Sequence, residues 1–227
     1  MTASARSLAK IALFHALDAQ AIRGLDAQCT WRRCDAGTWV LDYADDSTDV
    51  FFILRGRLRV MTLSAGREVI LRDLLDGEFF GELAAIDGKP RSAGIIAITD
   101  AEIGRMPAAR FRQAIHAHAS VCDEVLWRLS AEIRKLANRV NEFSTLPVSA
   151  RLRAELLRLA RPRDGDDTAV ITPPPTHAEL AARISTHREA VTRELNGLER
   201  AGVIERRRGA IVLLRPDDLR RDLEEGA

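Results

Sequence analysis

Residues Phe79 to Ala93 read FFGELAAIDGKPRSA. The apolar opening is interrupted by one carboxylate, Glu82, and the segment ends on one guanidinium, Arg91, with Gly81, Gly88 and Pro90 between or beside them. A single charge taken out of water costs on the order of several kcal/mol unless something pairs with it. Such a segment in an apolar surrounding therefore asks what each of the two charges meets.

The flanking sequence is β-prone. TWVLDY (38–43), DVFFILRG (49–56), RLRVMTLS (57–64), REVILRDL (67–74) and SAGIIAIT (92–99) are short runs separated by turn formers at Asp45-Asp46-Ser47, Gly56, Ser64-Ala65-Gly66, Asp76-Gly77 and Asp87-Gly88. Closely spaced strands with turn signals predict an antiparallel, jelly-roll-like β-roll. Upstream, residues 8 to 28 have helical spacing and predict one or two short helices.

Downstream the period changes. From about Pro107 to Leu146 the pattern is helical, and Cys122, Leu126, Leu129, Ile133, Leu136, Val140 and Phe143 recur at alternating steps of four and three. That is the seam of a coiled coil, matched to the same helix of a second copy, although a stripe of this kind also suits packing on the chain's own β-roll. Pro147 disfavours helix in the residue before it and marks a boundary. The expected organisation is α+β: a β-roll effector domain over 1–118, a dimerisation helix over 119–146 and a second domain over 147–227.

In that second domain THAELAARISTHREAVTREL (176–195) holds two capping-box patterns, Thr176 with Glu179 and Thr186 with Glu189, around a short turn at Ile184-Ser185. Two helices joined so tightly predict a helix-turn-helix. At 100° per residue, Arg188, Glu189, Thr192, Arg193 and Asn196 fall on one face of the second helix, and Val191, Leu195 and Leu198 on the other. Arginine pairs with guanine O6/N7 and glutamate accepts from cytosine N4, so the polar face suits the DNA major groove. A solvated helix with internal ion pairs is the plainer alternative. Gly202 to Leu214 then reads as a hairpin with Arg206, Arg207 and Arg208 at its turn, a wing suited to phosphate contact.

Composition narrows the classes. The 227 residues are 46% hydrophobic and 30% charged with a formal net charge of +1, so a nucleic-acid partner must be read from local arrangement. No apolar run reaches the length of a membrane span, and MTASARSLAKIALFHAL lacks a signal-peptide core, so a cytoplasmic location is expected. Cys29, Cys34 and Cys122 lack CxxC spacing and point to ordinary thiols, with no metal site. No nucleophile–base pair is apparent, so an enzyme is not expected.

In combination, GELAAIDGKPRSA resembles the phosphate-binding cassette of cyclic-nucleotide-binding domains, and the order of β-roll, long helix and winged helix-turn-helix resembles the Crp/Fnr transcription regulators. The resemblance implies that Gly81, Glu82 and Leu83 open the cassette and that Arg91 and Ser92 close it. Glu82 would bind a ribose 2′-hydroxyl, and Arg91 and Ser92 a cyclic phosphate, as a guanidinium suits a phosphate monoanion. The plainer alternative is a Glu–Arg ion pair. The implied effector is cAMP, or else cGMP or another cyclic nucleotide.

The same resemblance places Arg188, Glu189 and Arg193 at the family's base-reading positions and implies a TGTGA-type palindrome. Thr176, Thr186, His187, Thr192, Asn196, Arg207 and Arg208 complete the expected DNA surface, and RNA polymerase is an implied partner. The loop ARPRDGDDTAVI (160–171) either touches polymerase or only links elements.

The chain departs from the family in two places. A glycine common in the helix-turn-helix turn is Ser185, which is tolerable if the turn needs no positive φ. The Thr-Ser pair that holds adenine in cAMP-binding members falls on Val140 and Asn141, or on Leu136 and Ala137, depending on the anchor, which leaves Asn141 and the neighbouring Asn138 as candidates for base recognition. Sensing through an iron–sulfur cluster or haem is disfavoured, because the N-terminal half has two cysteines and the β-roll no histidine. Two rivals remain open: a ligand-independent or differently gated regulator, and an effector-binding module without DNA function.

Overall fold

A computed structural model describes residues 6–64, 66–163 and 167–225. The chain forms two compact units, Met1–Glu132 and Ile133–Ala227.

In the first unit two 3-10 turns (Leu8–Lys10, Ala12–Phe14) and α1 (Ala19–Asp26), capped by Asp18, precede the strands. The strands are β1 (Thr30–Cys34), β2 (Trp39–Leu41), β3 (Val50–Arg55), β4 (Leu58–Ser64), β5 (Arg67–Leu74), β6 (Phe79–Phe80), β7 (Gly94–Ala97) and β8 (Ala101–Met106). They form two antiparallel four-stranded sheets, ordered β1-β8-β3-β6 and β2-β7-β4-β5. β1, TWRRC, is missing from the sequence reading because its side chains are mostly exposed and carry no apolar alternation. β3 is buried along almost its whole length, as its continuous apolar run requires.

Phe14, Phe52, Phe79 and Phe111 form a chain of tilted rings with centroids 5.3 to 6.5 Å apart. That arrangement favours edge-to-face contact, and it carries the core from the N-terminal turns through β3 and β6. It ends on α3 (Ala108–Ala117), which contributes Phe111.

The helical stretch expected from Pro107 to Leu146 is two helices. The chain turns extended at His118, and α4 then runs from Ala119 to Thr145. Val121 and Val125 are buried in the β-roll core with Leu129 packed against it, while Leu126, Ile133, Leu136 and Val140 remain exposed, Ile133 at 67% and Val140 at 65%. Of the stripe itself Leu129 packs on the β-roll, and the buried Val121 and Val125 stand beside the stripe, outside its four-three spacing.

The second unit holds the end of α4, α5 (Val148–Leu159), β9 (Arg161–Pro162), β10 (Ala169–Ile171), α6 (His177–Arg183), α7 (Arg188–Arg200), β11 (Ile204–Arg207), β12 (Ala210–Leu213) and α8 (Pro216–Glu225). Its sheet is antiparallel, ordered β11-β12-β10-β9. Leu152 and Leu156 of α5, Leu180 of α6, Val191 and Leu195 of α7 and Ile211 of β12 share its core. Asp164 to Asp166 of the 160–171 loop lie outside the described residues.

Pro147 caps α5 without separating it from α4. Arg139 reaches Glu155 at 2.9 Å, Arg158 reaches Glu142 at 2.6 Å and Glu155 at 2.9 Å, and Arg183 of α6 lies 3.6 Å from Glu155. The guanidiniums of Arg139 and Arg151 lie over the Phe143 ring, 4.9 and 5.4 Å from its centre. A pivot at Pro147 would have to break these charged contacts, one partner of which, Glu155, is only 4% exposed. The last turns of α4 therefore belong mechanically with α5 and α6.

Candidate functional site

The cassette begins where β6 ends. Gly81 has φ +84° and caps α2 (Glu82–Asp87), and Gly88 ends it at φ +71°. A β-carbon on Gly81 would lie 2.7 Å from Arg91 Nη1 and 2.9 Å from the Asp49 carbonyl, so the position requires glycine for both conformation and space. This close approach seats Arg91, which is 3% exposed. Its Nε donates to Ser47 Oγ at 3.1 Å, Nη1 to the Gly81 carbonyl at 2.9 Å and Nη2 to the Asp49 carbonyl at 2.8 Å. The guanidinium also lies 5.8 Å from the Phe51 ring centre, within cation–π range.

Arg91 is further clasped by backbone bonds, its N–H donating to Asp45 O and its carbonyl accepting from Ala44 N–H. Burial lowers its pKa, while Asp45, Asp49 and Glu82 favour the charged form. Arg91 thus ties the cassette to the loop before β3, through Ser47 and Asp49. Sequence reasoning missed those residues because they lie more than forty positions away.

Glu82 is half-buried and does not pair directly with Arg91 among the described contacts. Burial pushes its carboxyl above the usual carboxylate range, against the pull of its own backbone N–H and of Arg128 and Arg72, while Glu132 adds to the rise. Arg128 of α4 donates to Glu78 at 2.8 Å and to the Phe79 carbonyl at 3.2 Å, with its guanidinium 4.5 Å from the Phe79 ring centre. Arg72 reaches Glu78 at 3.1 Å and Glu132 at 3.7 Å. The acid end of the cassette therefore faces a charged cluster shared with α4, and no short-range motif announced it. Leu83 and Ser92 are exposed, as are Asn138 and Asn141 on α4 in the second unit.

Burial and Asp26 push the Cys29 thiol up to about 12, and burial raises Cys34, so neither is a ready thiolate. Among the described residues no group of three His, Cys, Asp or Glu is arranged to hold a metal, and no helix is long and apolar enough to cross a membrane.

In the second unit α6 opens on the expected capping box, with Thr176 Oγ1 accepting from Glu179 N–H at 3.1 Å and the Glu179 carboxylate accepting from Thr176 N–H at 2.8 Å. The second box does not form. α7 is capped by His187 without a side-chain bond, and Thr186 instead donates its N–H to the Ala181 carbonyl. The turn is thereby longer than two residues, and Ser185 takes φ +51°. A positive φ is needed here after all, and the chain meets it with a non-glycine residue at a cost of about 1–2 kcal/mol.

Arg188, Glu189, Thr192, Arg193, Asn196 and Arg200 line one open groove along α7, while Val191, Leu195 and Leu198 are buried behind it. Arg193 stands well into solvent, with its side chain 74% exposed. Thr192 and Asn196 are engaged by side chains of other elements. Thr192 Oγ1 contacts His177 Nδ1 at 2.8 Å, and Asn196 accepts from Arg206 at 2.8 Å. Arg206 also binds Glu199 through its N–H at 3.2 Å and its Nε at 3.0 Å. The wing turn is Arg208-Gly209, since Arg206 and Arg207 lie in β11. Arg207 pairs with Glu205 at 2.6 Å and Arg208 is exposed. Arg206 thus fixes the wing against the reading helix, leaving Arg207 and Arg208 at the tip.

Comparison with known proteins agrees with this architecture. The model of the cyclic nucleotide-binding domain matches residues 31–118, and that of the Crp-like helix-turn-helix domain matches residues 150–222. The cAMP-activated global transcriptional regulator Vfr of Pseudomonas aeruginosa is 26% identical over 205 residues, 86% of this chain and 94% of that protein. Among solved structures, a CRP/FNR-family transcriptional regulator of Thermus thermophilus is 26% identical with a TM-score of 0.70, over 87% of this chain and 100% of that one. The c-di-GMP responsive global regulator CLP of Xanthomonas campestris shares the fold at 21% identity with a TM-score of 0.73, over 86% and 99%. With a nucleotide-binding β-roll and a Crp-like reading helix on one polypeptide, the chain belongs to the Crp/Fnr family of cyclic-nucleotide-binding transcription regulators.

Proposed function

We propose that the protein acts as a homodimer, is gated by a cyclic mononucleotide, of which cAMP is the first candidate, and binds a TGTGA-type palindrome. The observation that carries this is the open face of α7, where Arg188, Glu189 and Arg193 stand exposed over a buried apolar row. In this reading residues 1–118 sense, 119–146 dimerise and 147–227 bind DNA. Two copies meet along Leu126, Ile133, Leu136 and Val140, which α4 leaves uncovered. Glu82 takes the ribose hydroxyl, Arg91 and Ser92 the phosphate, with Leu83 beside them, and Asn138 or Asn141 the base. Arg207 and Arg208 hold phosphates on the DNA side. RNA polymerase is the expected partner of the DNA-bound dimer, and the protein works in the cytoplasm without enzymatic activity.

Ligand binding acts by favouring one of two packings of the α4 pair, and its effect is limited by its difference in affinity for the two. Because the end of α4 is tied to α5 and α6 through Glu155, a change in the α4 pair carries the reading helices with it.

A second reading has its own support. Three acceptors of the protein already hold Arg91, so the cassette is shaped without a ligand, as suits a regulator that is constitutive or answers another effector. Calorimetry against cAMP, cGMP and c-di-GMP, beside gel shifts on the palindrome with and without each, separates the two. Heat with cAMP and DNA binding that depends on it is the expected result. Undiminished DNA binding with no heat from any of the three would establish the second reading, and a monomer in sedimentation would remove the dimer.

A further inference from the structure

Glu199 stands on α7 next to Arg200 and one turn past Asn196, both of which line the open groove. A carboxylate there repels any phosphate that comes near, so its place on a DNA-facing helix asks what it does. Arg206 of β11 holds it. Glu199 Oε1 accepts the Arg206 backbone N–H at 3.2 Å, and Oε2 accepts from Nε at 3.0 Å and from Nη2. The same Nη2 donates to Asn196 Oδ1 at 2.8 Å. One guanidinium thus spans a turn of α7, and its bonds keep the Glu199 carboxyl below the usual carboxylate range.

The position of Arg206 in the hairpin gives this clamp its meaning. Among the described strands β11 is an edge, paired with β12 alone. β12 meets β10 from Ile211 to Leu213, and Ile204, Ile211 and Leu213 are buried. Arg206 lies opposite Ile211, the last rung with a third strand behind it, while Arg207, opposite Ala210, and the turn Arg208-Gly209 project beyond. The core seats the root of the hairpin, and Arg206 ties it to α7 at the point where that support stops. Alternation along β11 turns Arg206 to the side of Ile204 and Arg207 to the other, where it pairs with Glu205. Because an exposed ion pair adds little to stability, the clamp serves position more than the fold.

We propose that Glu199 and Arg206 are positioning residues for DNA binding, which fix the wing against α7 so that Arg208 at its tip meets a phosphate while α7 lies in the groove. This rests on the DNA-binding reading above. A hairpin fixed beforehand does not have to be ordered in the complex. The consequence runs against simple charge counting. Removing the Glu199 carboxylate takes a negative charge away from the DNA, which by Coulomb's law alone tightens binding. Loss of the clamp weakens binding instead, because Arg208 is no longer held at its phosphate. Phosphate contacts carry no sequence information, so the effect appears on any duplex.

The test is fluorescence anisotropy, with cAMP and without it, on a TGTGA-palindrome duplex and on a scrambled duplex between about 50 mM and 200 mM salt. Wild type is compared with Glu199→Ala, Arg208→Ala and the double variant, each melted by circular dichroism. Should alanine at 199 lower the melting midpoint, Glu199→Gln, which has the same shape, carries the comparison. The expected result is that Glu199→Ala binds both duplexes about threefold or more weakly, with a salt slope smaller by about one for each wing. Arg208→Ala does the same, and the double variant is no weaker than either single one. Binding by the position-199 variant that equals or exceeds wild type overturns the inference, as does a double variant in which the two losses add. Weakening confined to the palindrome assigns Glu199 to base reading and overturns it as well. Absence of wild-type binding to either duplex, with or without cAMP, overturns the DNA-binding reading itself.

Discussion

Replacing Arg91 with alanine should unfold the cassette before it can report on any ligand. The guanidinium is 3% exposed and is the donor to the carbonyls of Gly81 and Asp49 and to the Ser47 hydroxyl. Each buried carbonyl left without a donor costs about 1–3 kcal/mol, so the two together cost about 2–6 kcal/mol. Loss of the contact with Phe51 adds about 0.5–1 kcal/mol. An expected loss of about 3 kcal/mol or more is a large part of the ~5–15 kcal/mol that holds a domain together. Trp31, Trp39 and Trp127 all lie within Met1–Glu132, so urea unfolding followed by tryptophan fluorescence reads this unit alone. Arg91→Lys, which keeps the charge but not the fork of donors, should fall between alanine and wild type. If Arg91→Ala unfolds within about 0.5 kcal/mol of wild type and only loses nucleotide binding, the guanidinium is a free ligand group and the reasoning fails.

Glu82→Gln should act in the opposite sense. A carboxyl whose pKa is raised by burial weighs against the fold once ionised, and that cost fades as the pH falls through its folded pKa. The variant should therefore be as stable as wild type or more so at neutral pH, the difference shrinking as the pH falls, while nucleotide affinity measured by calorimetry drops about tenfold or more. Glu155→Ala removes the carboxylate that Arg139, Arg158 and the buried Arg183 share. Because Glu142 still serves Arg139 and Arg158, it should cost about 2–3 kcal/mol in denaturant unfolding followed by circular dichroism; a loss below about 1 kcal/mol would show that the cluster does not hold α4 to α5. Ser185→Gly should stabilise the second unit by about 0.5–1 kcal/mol, seen as a higher midpoint, because φ +51° suits glycine.

Local pattern carried much of this protein. The apolar runs of β3, β4, β5 and β7 and the turn formers between them mark strands, because an alternating or continuous apolar run can be buried in few ways. The Thr176–Glu179 box and the Val191, Leu195, Leu198 row mark α6 and the buried side of α7 for the same reason, since each depends on residues within a turn or two. The short helix α2 was bounded in the sequence by Gly81 and Gly88, which both take positive φ. Where local signals compete, pattern was a poor guide: Thr186 with Glu189 has the spacing of a capping box, yet the chain starts α7 one residue later and bonds Thr186 to Ala181.

The sequence by itself determined many of the strands and helices, though not β1 or the break at His118, and which faces of α7 are apolar and polar, because these are properties of neighbours along the chain. Only the tertiary structure decided what each charge meets. Arg91 finds Ser47 and Asp49, Arg128 finds Glu78, Arg139 finds Glu155, His177 finds Thr192 and Arg206 finds Asn196. The partners of Arg91 and Arg128 lie more than forty positions away and the others ten to sixteen, and no periodicity records them. A buried charge accepts whatever partner the folded backbone brings within reach, and the lone acid and lone base of FFGELAAIDGKPRSA were given separate ones.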